Sequence, residues 1–164
     1  MLAVADAGPL HYLVLADAID LLSRLFTAVL VPQIVRDEIS RAGTPALVRD
    51  WIADPPPWLQ IVPTPSLETL PLPKLDIGER AALALAMSQQ ADVVLMDDRR
   101  GVAVARANGL VSIGTLGLLD QAAARRLIDF AAVAARLTAT NFRYPPDLLD
   151  VLLARHQEEN PGDG

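Results

Sequence analysis

Short apolar runs alternate along the chain with longer stretches in which apolar residues recur at helical spacing. Leu2-Ala-Val-Ala5 contains no turn residue and is followed by Asp6-Ala-Gly-Pro9. This is the pattern of a buried parallel strand ending where the chain must turn. Pro9 suits the first turn of a helix, where its missing N–H leaves nothing unpaired. Leu10, Leu13, Ile19, Leu22 and Phe26 then predict one or two helices between 10 and 25. Ala28–Val31 is a second apolar run, and Pro32 opens a helix carrying Ile34, Val35, Glu38 and Ile39. Gly43 ends that helix. Thr44-Pro45 predicts a cap and first-turn proline for the next, over about 45–53, and Pro55-Pro56-Pro57 stops it. Leu59–Val62 is a third strand, and the proline-bearing stretch 63–76 reads as an extended connection.

The clearest helix opens at Asp76-Ile-Gly-Glu79 and continues through Ala81–Ala86, apolar on nearly every side and so well buried. Asp92–Asp97 predicts a strand ending in Asp97-Asp98. A helix over 99–108 closes at Asn108-Gly109, a C-cap signal, and Leu110–Ile113 is the last strand. Gly114-Thr115 leads into a helix over 116–124, with further helices near 127–139 and 145–156. Alternating strands and helices predict an α/β fold, a parallel sheet covered on both faces.

That arrangement gives particular residues a place. Ligands of open α/β sheets bind beyond the carboxyl ends of the strands. Asp6, Asp97 and Asp98 follow strands, and Thr115 follows the last one. Glu79, in a first turn, and Glu38, within a helix, can approach the same edge from the side. Each acid also has a plain structural reading: Asp6 or Asp98 as an N-cap, Glu79 as a first-turn acid answering the helix dipole, Glu38 on a solvated face beside Asp37. Together those readings must explain why acids recur where the fold places its ligands. Two unit charges about 4 Å apart repel by roughly 4 kcal/mol at an effective dielectric near 20. A hard divalent cation relieves such a cluster and can activate water for in-line attack on a phosphodiester.

Composition narrows the chemistry further. There is no cysteine, which excludes disulfides, thiolate metal sites and a cysteine nucleophile, and two separated histidines exclude a His-rich metal site. The net charge of −6 argues against a general nucleic-acid binder. Of the basic residues only Lys74 is a lysine, so local phosphate contacts would come from arginine, with Arg80, Arg99 and Arg100 nearest the acids in sequence. The N-terminus has no basic region ahead of its apolar run, and no apolar stretch matches a membrane span; a cytoplasmic location is expected.

Four segments in this order carry a family resemblance. They are Val-Ala-Asp6-Ala-Gly-Pro-Leu, Val-Pro-Gln-Ile-Val-Arg-Asp-Glu38-Ile, Leu-Asp-Ile-Gly-Glu79-Arg-Ala-Ala-Leu, and Val-Val-Leu-Met-Asp97-Asp98-Arg-Arg-Gly. With the trailing Ala-Arg-Ala-Asn-Gly-Leu-Val-Ser-Ile-Gly-Thr, the chain resembles the PIN-domain nucleases, in particular their VapC-like toxin branch. The resemblance implies a three-layer αβα sandwich with a parallel sheet of four or five strands over residues 1–128. Residues 129–156 are then an added helical extension and 157–164 a frayed tail. It further implies a Mg²⁺- or Mn²⁺-dependent endoribonuclease, the toxin of a toxin–antitoxin pair, acting on RNA and held by a small antitoxin protein. Asp6, Glu38, Glu79 and Asp98 match the family's catalytic acids, with Asp97 as a further metal ligand and Asp98 preferred over it. Where a further late acid often stands, this chain has Gly114-Thr115; Thr115 is then expected to hold a water or phosphate oxygen. Arg80, Arg99 and Arg100 are expected at the substrate. The apolar helices 10–26 and 116–139 are candidates for a homodimer surface. Two other readings fit parts of the pattern: a phosphoacceptor receiver domain, which places its acidic pair after the first strand and needs a late lysine, and a PIN-like binding module without turnover.

Overall fold

A computed structural model describes residues 1–68 and 75–159. Strands β1 (Leu2–Ala5), β2 (Ala28–Pro32), β3 (Leu59–Val62), β4 (Val93–Leu95) and β5 (Ser112–Ile113) form one parallel sheet in the order β3-β2-β1-β4-β5. The helices are α1 (Ala7–Leu15), α2 (Leu21–Leu25), α3 (Gln33–Ile39), α4 (Ala46–Ala53), α5 (Ile77–Ser88), α6 (Arg99–Ala107), α7 (Thr115–Ala124), α8 (Phe130–Thr138) and α9 (Pro146–Glu159). The alternation of strand and helix sets the parallel connectivity. The expected α/β sandwich is therefore present, with five strands.

Side chains of each strand alternate between two apolar layers. Ala3, Ala5, Val29, Val31, Val93 and Leu95 point into the larger core, built against α1, α2, α7, α8 and α9. Val4, Leu30, Val94 and Met96 point into a smaller core under α5 and α6. Both faces are covered, which is why the strands read as continuous apolar runs. At the start of α6 a Cβ on Gly101 would overlap the Met96 sulfur, so this glycine lets the helix settle directly on the strand end.

Several local details depart from expectation. Pro45 occupies the N-cap of α4 and no side chain caps that helix, so Thr44 does not act as its cap. Only Ser112 and Ile113 of the last apolar run are strand. The extended connection is irregular over 63–68, and its remainder to 74, including Lys74, lies outside the described residues. Helix α9 continues to Glu159, three residues into the stretch expected to fray; the tail beyond it also lies outside the described residues.

The C-terminal helices belong to the larger core through Phe130, Val133, Leu137, Leu149 and Leu152. His156 anchors α9 from within: its Nε2 lies 2.8 Å from Asp120 Oδ1 and its ring stacks on Phe130 at 4.8 Å. The apolar residues of 10–26 considered for a dimer surface are buried, among them Leu10, Leu13, Leu22 and Phe26. Among the described residues, the exposed large hydrophobic side chains stand elsewhere, as at Leu47, Val111, Leu148 and Val151. No described helix is long and apolar enough to cross a membrane.

Candidate active site

The strand order reverses between β1 and β4, and the crevice beyond that seam is where such sheets bind ligands. Asp6 leaves β1 there, its N–H donating to the Leu95 carbonyl at 3.0 Å. Its side chain is buried, 8 % exposed. Asp97 leaves the end of β4, one residue past the buried Met96. The switch point thus carries one carboxylate on each of its two strands.

Glu38 and Asp76 reach the same place from helices. A Cβ on Gly78 would stand 2.6 Å from Glu38 Oε2, 3.4 Å from Asp76 Oδ1 and 3.6 Å from Asp6 Oδ1. Three carboxylates therefore converge on the bare Cα of Gly78 in the first turn of α5. Asp76 and Glu79 form a reciprocal capping box: Asp76 Oδ1 accepts the Glu79 N–H at 2.8 Å, and Glu79 Oε2 accepts the Asp76 N–H at 3.2 Å. Asp76 was not among the residues the sequence singled out. The signal was present, an Asp three residues ahead of Glu79, but it reads fully as a helix cap.

The two late aspartates divide their work. Asp98 Oδ1 accepts the Gly101 N–H at 3.0 Å and caps α6, and the residue is exposed. Asp97 turns inward and accepts two hydrogen bonds from Thr115, from the backbone N–H to Oδ1 and from the hydroxyl to Oδ2, both at 2.7 Å. The sequence preferred Asp98 of the two; in the structure Asp97 is the more buried and is held by Thr115, while Asp98 caps α6 at the rim. Thr115 is fully buried and its hydroxyl is directed at Asp97, so it orients a carboxylate rather than holding a water or phosphate.

Burial, and for several of them the charge of neighbouring acids, raises the carboxyls gathered here. Burial pushes the Asp6 carboxyl up to about 7; the Ala7 N–H offsets part of this, and Asp76, Glu38 and Asp97 add to it. Burial likewise raises Glu79 to about 7, helped by Asp76, Asp98 and Asp6. Glu38 is raised by burial and by Asp76, with Arg41 acting the other way. Asp97 is raised by burial against the pull of its Thr115 hydrogen bonds. Among the described residues none of these acids has an ion-pair partner.

The arginines separate. Arg99 and Arg100, exposed in the first turn of α6, line a cavity of about 880 Å³ beside Asp97, Asp98 and Gly114. Arg80 does not line it; its Nη2 donates to the Leu67 carbonyl at 3.5 Å. The cavity is also lined by Phe142, Arg143, Tyr144 and Pro145 of the connection between α8 and α9, and by Pro146 and Leu148 at the start of α9. Sequence spacing gave no hint of that approach, since it depends on how the C-terminal helices fold back.

Apart from the Thr115 hydroxyl, which is bonded to Asp97, the side-chain oxygens gathered at the crevice are carboxylates, a donor set suited to a hard divalent cation. Among the described residues no three acidic or imidazole groups form a ready-made metal cage. Mg²⁺ commonly binds through one or two carboxylates and keeps several waters, so an open arrangement is compatible with it.

A doubly wound parallel sheet with carboxylates converging at its switch point defines the class of this protein. The chain belongs to the PIN-domain family: the family model DUF3368, described as a PIN domain, matches residues 2–158, α8 and α9 included. No curated protein and no solved structure matches the chain. PIN domains are generally nucleases that use divalent metals, and at that level the chain is a nuclease-type hydrolase.

Proposed function

We propose that the protein is a Mg²⁺- or Mn²⁺-dependent endoribonuclease of the VapC-like kind, the toxin of a type II toxin–antitoxin pair. The observation that carries this reading is the convergence of Asp6, Glu38 and Asp76 on Gly78, with Asp97 across the β1–β4 seam and no cationic partner among the described residues. Asp6, Glu38, Glu79 and Asp97 are the carboxylates that would hold the cation. Once bound, the cation supplies charge for the developing phosphorane oxygens and acidifies a water.

The chain's own groups do the rest. Thr115 fixes the Asp97 carboxylate with two hydrogen bonds, so its oxygens need no reorganisation. Glu79, in the first turn of α5 beside these acids, would be the group to accept the proton of the attacking water. Arg99 and Arg100 orient the phosphodiester from the rim. The acids are also open to a basic side chain offered by a small antitoxin protein, which would silence them by ion pairing.

The test is cleavage of single-stranded RNA with Mg²⁺ or Mn²⁺, against a chelated control and Asp6→Asn. Metal-dependent cleavage is expected from the native chain, and none from Asp6→Asn with its fold intact. An active Asp6→Asn protein would sink the assignment. Thr115, standing where a further late acid is often found, supports one rival, a PIN-like module that binds RNA or protein without turnover. That module would bind RNA yet show no cleavage under any metal.

A further inference from the structure

We propose that the cavity between the late aspartates and the α8–α9 connection is the subsite for the nucleotide next to the cleaved bond, with Tyr144 stacking on its base and Arg143 contacting its phosphate. This rests on the nuclease reading above and adds the element that selects the substrate.

The cavity's volume, about 880 Å³, lies within the roughly 300–1,000 Å³ of ligand pockets. Asp97, Asp98 and Gly114 line it, so the cavity adjoins the acids through the end of β4. Arg143, Tyr144 and Pro145 line it as well. Arg99, Arg100 and Arg143 are exposed, and none has an ion-pair partner among the described residues. Arg99 and Arg100 occupy the first turn of a helix, where the dipole disfavours cations. No close ion pair among the described residues holds these three arginines in the fold, so their charges are free for a ligand at the shared cavity. A phosphate chain is the ligand that guanidinium groups at such a cavity suit.

The aromatic arrangement is also built. Tyr144 is half-buried, its ring 6.2 Å from that of Phe142 and inclined by 18°. Phe142 is buried and meets Tyr12 of α1 edge-on at 5.0 Å. The Tyr12 hydroxyl donates to Asn141 Oδ1 at 3.0 Å, tying the connection to the domain. Pro145 and Pro146 restrict the backbone immediately after the ring. Tyr144 is thus the outer member of a supported aromatic series and lines an open cavity. Unpaired bases stack on such rings, whereas a duplex keeps its bases within its own stack. The subsite accordingly selects an unpaired nucleotide.

The test uses the full chain carrying Asp6→Asn, so that binding is read without turnover. The probes are a short fluorescein-labelled oligoadenylate and a ribose-phosphate chain of equal length without bases. Tyr144→Ala is expected to weaken oligoadenylate binding by roughly 5- to 100-fold while leaving the abasic chain's affinity unchanged. Tyr144→Trp should restore it. Arg143→Gln should weaken both probes alike and flatten the salt dependence. In the cleavage-competent chain, Tyr144→Ala should raise KM and leave kcat little changed. Equal loss for both probes, or no loss for oligoadenylate, overturns the stacking role. If the native chain cuts RNA and Tyr144→Ala matches it in KM, the subsite alone falls. If the native chain neither binds nor cuts RNA, the nuclease reading falls with it.

Discussion

Asp97 shows how much one neighbour controls at the residue scale. Its carboxylate is mostly buried, and burial alone would favour the neutral acid; Thr115 opposes this with an N–H and a hydroxyl, each at 2.7 Å. Thr115→Val keeps the shape and removes the hydroxyl, leaving Asp97 Oδ2 without its donor. Leaving a buried acceptor unpaired costs about 1–3 kcal/mol, so urea unfolding at neutral pH should show a loss of that size, together with reduced cleavage. Thr115→Ser keeps the donor and should stay within about 1 kcal/mol of the native chain. Equal stability of the Val and native proteins would show that the bond orients nothing. This pairing could not be read from sequence, because the partners are eighteen residues apart and meet only through the β4–β5 register. The difference between Asp97 and Asp98 was partly legible, since Asp98 already read as a possible N-cap. It turns on which of two adjacent aspartates caps α6, and the clue was the Asp98-x-x-Gly101 spacing of an N-cap bond.

The first turn of α5 is the element on which the acids are assembled. A side chain at Gly78 would meet the far end of Glu38, which can swing aside. Gly78→Ala should therefore leave stability within about 1 kcal/mol, since better helix propensity offsets the added crowding. The displaced Glu38 should nonetheless cost activity, up to about a hundredfold for a misplacement near 1 Å. Unfolding and cleavage measured on one preparation separate the two effects; undiminished cleavage would remove Glu38 from the machinery. At this scale the chain was largely legible. Strands buried on both faces must read as apolar runs, and Asp76 and Gly109 mark helix ends by their chemistry. What escaped was the approach of α3 to α5, which makes a capping aspartate part of the site, and the return of residues 142–148 to the rim. Both are set by helix packing, which leaves no local trace.

For the whole molecule, the consequence of gathering unpaired acids is a fold that works against its own site. Asp6 begins to lose its proton near 3.8 in the unfolded chain but only near 7 when folded. A raised folded value means that its contribution to stability is full below about 3.8, declines as pH rises, and is gone above about 7. Glu38, Glu79 and Asp97 are shifted in the same direction. At about 1.4 kcal/mol per pKa unit, buried Asp6 alone should cost the metal-free chain a few kcal/mol between pH 4 and 7, while solvent screening leaves the more exposed Glu38 and Glu79 a smaller share. A divalent cation that binds only the folded, deprotonated site reverses this. At a concentration of about 100 Kd it should add roughly 2.7 kcal/mol above pH 7, and much less at pH 5, where protons compete for the same oxygens. Urea titrations across pH, with and without Mg²⁺ or Mn²⁺, read both limbs. Asp6→Asn should flatten the metal-free decline and take away most of the metal's gain. If stability instead rises between pH 4 and 7, or the metal's gain survives Asp6→Asn, then neither the strain nor the cation belongs to the switch-point crevice.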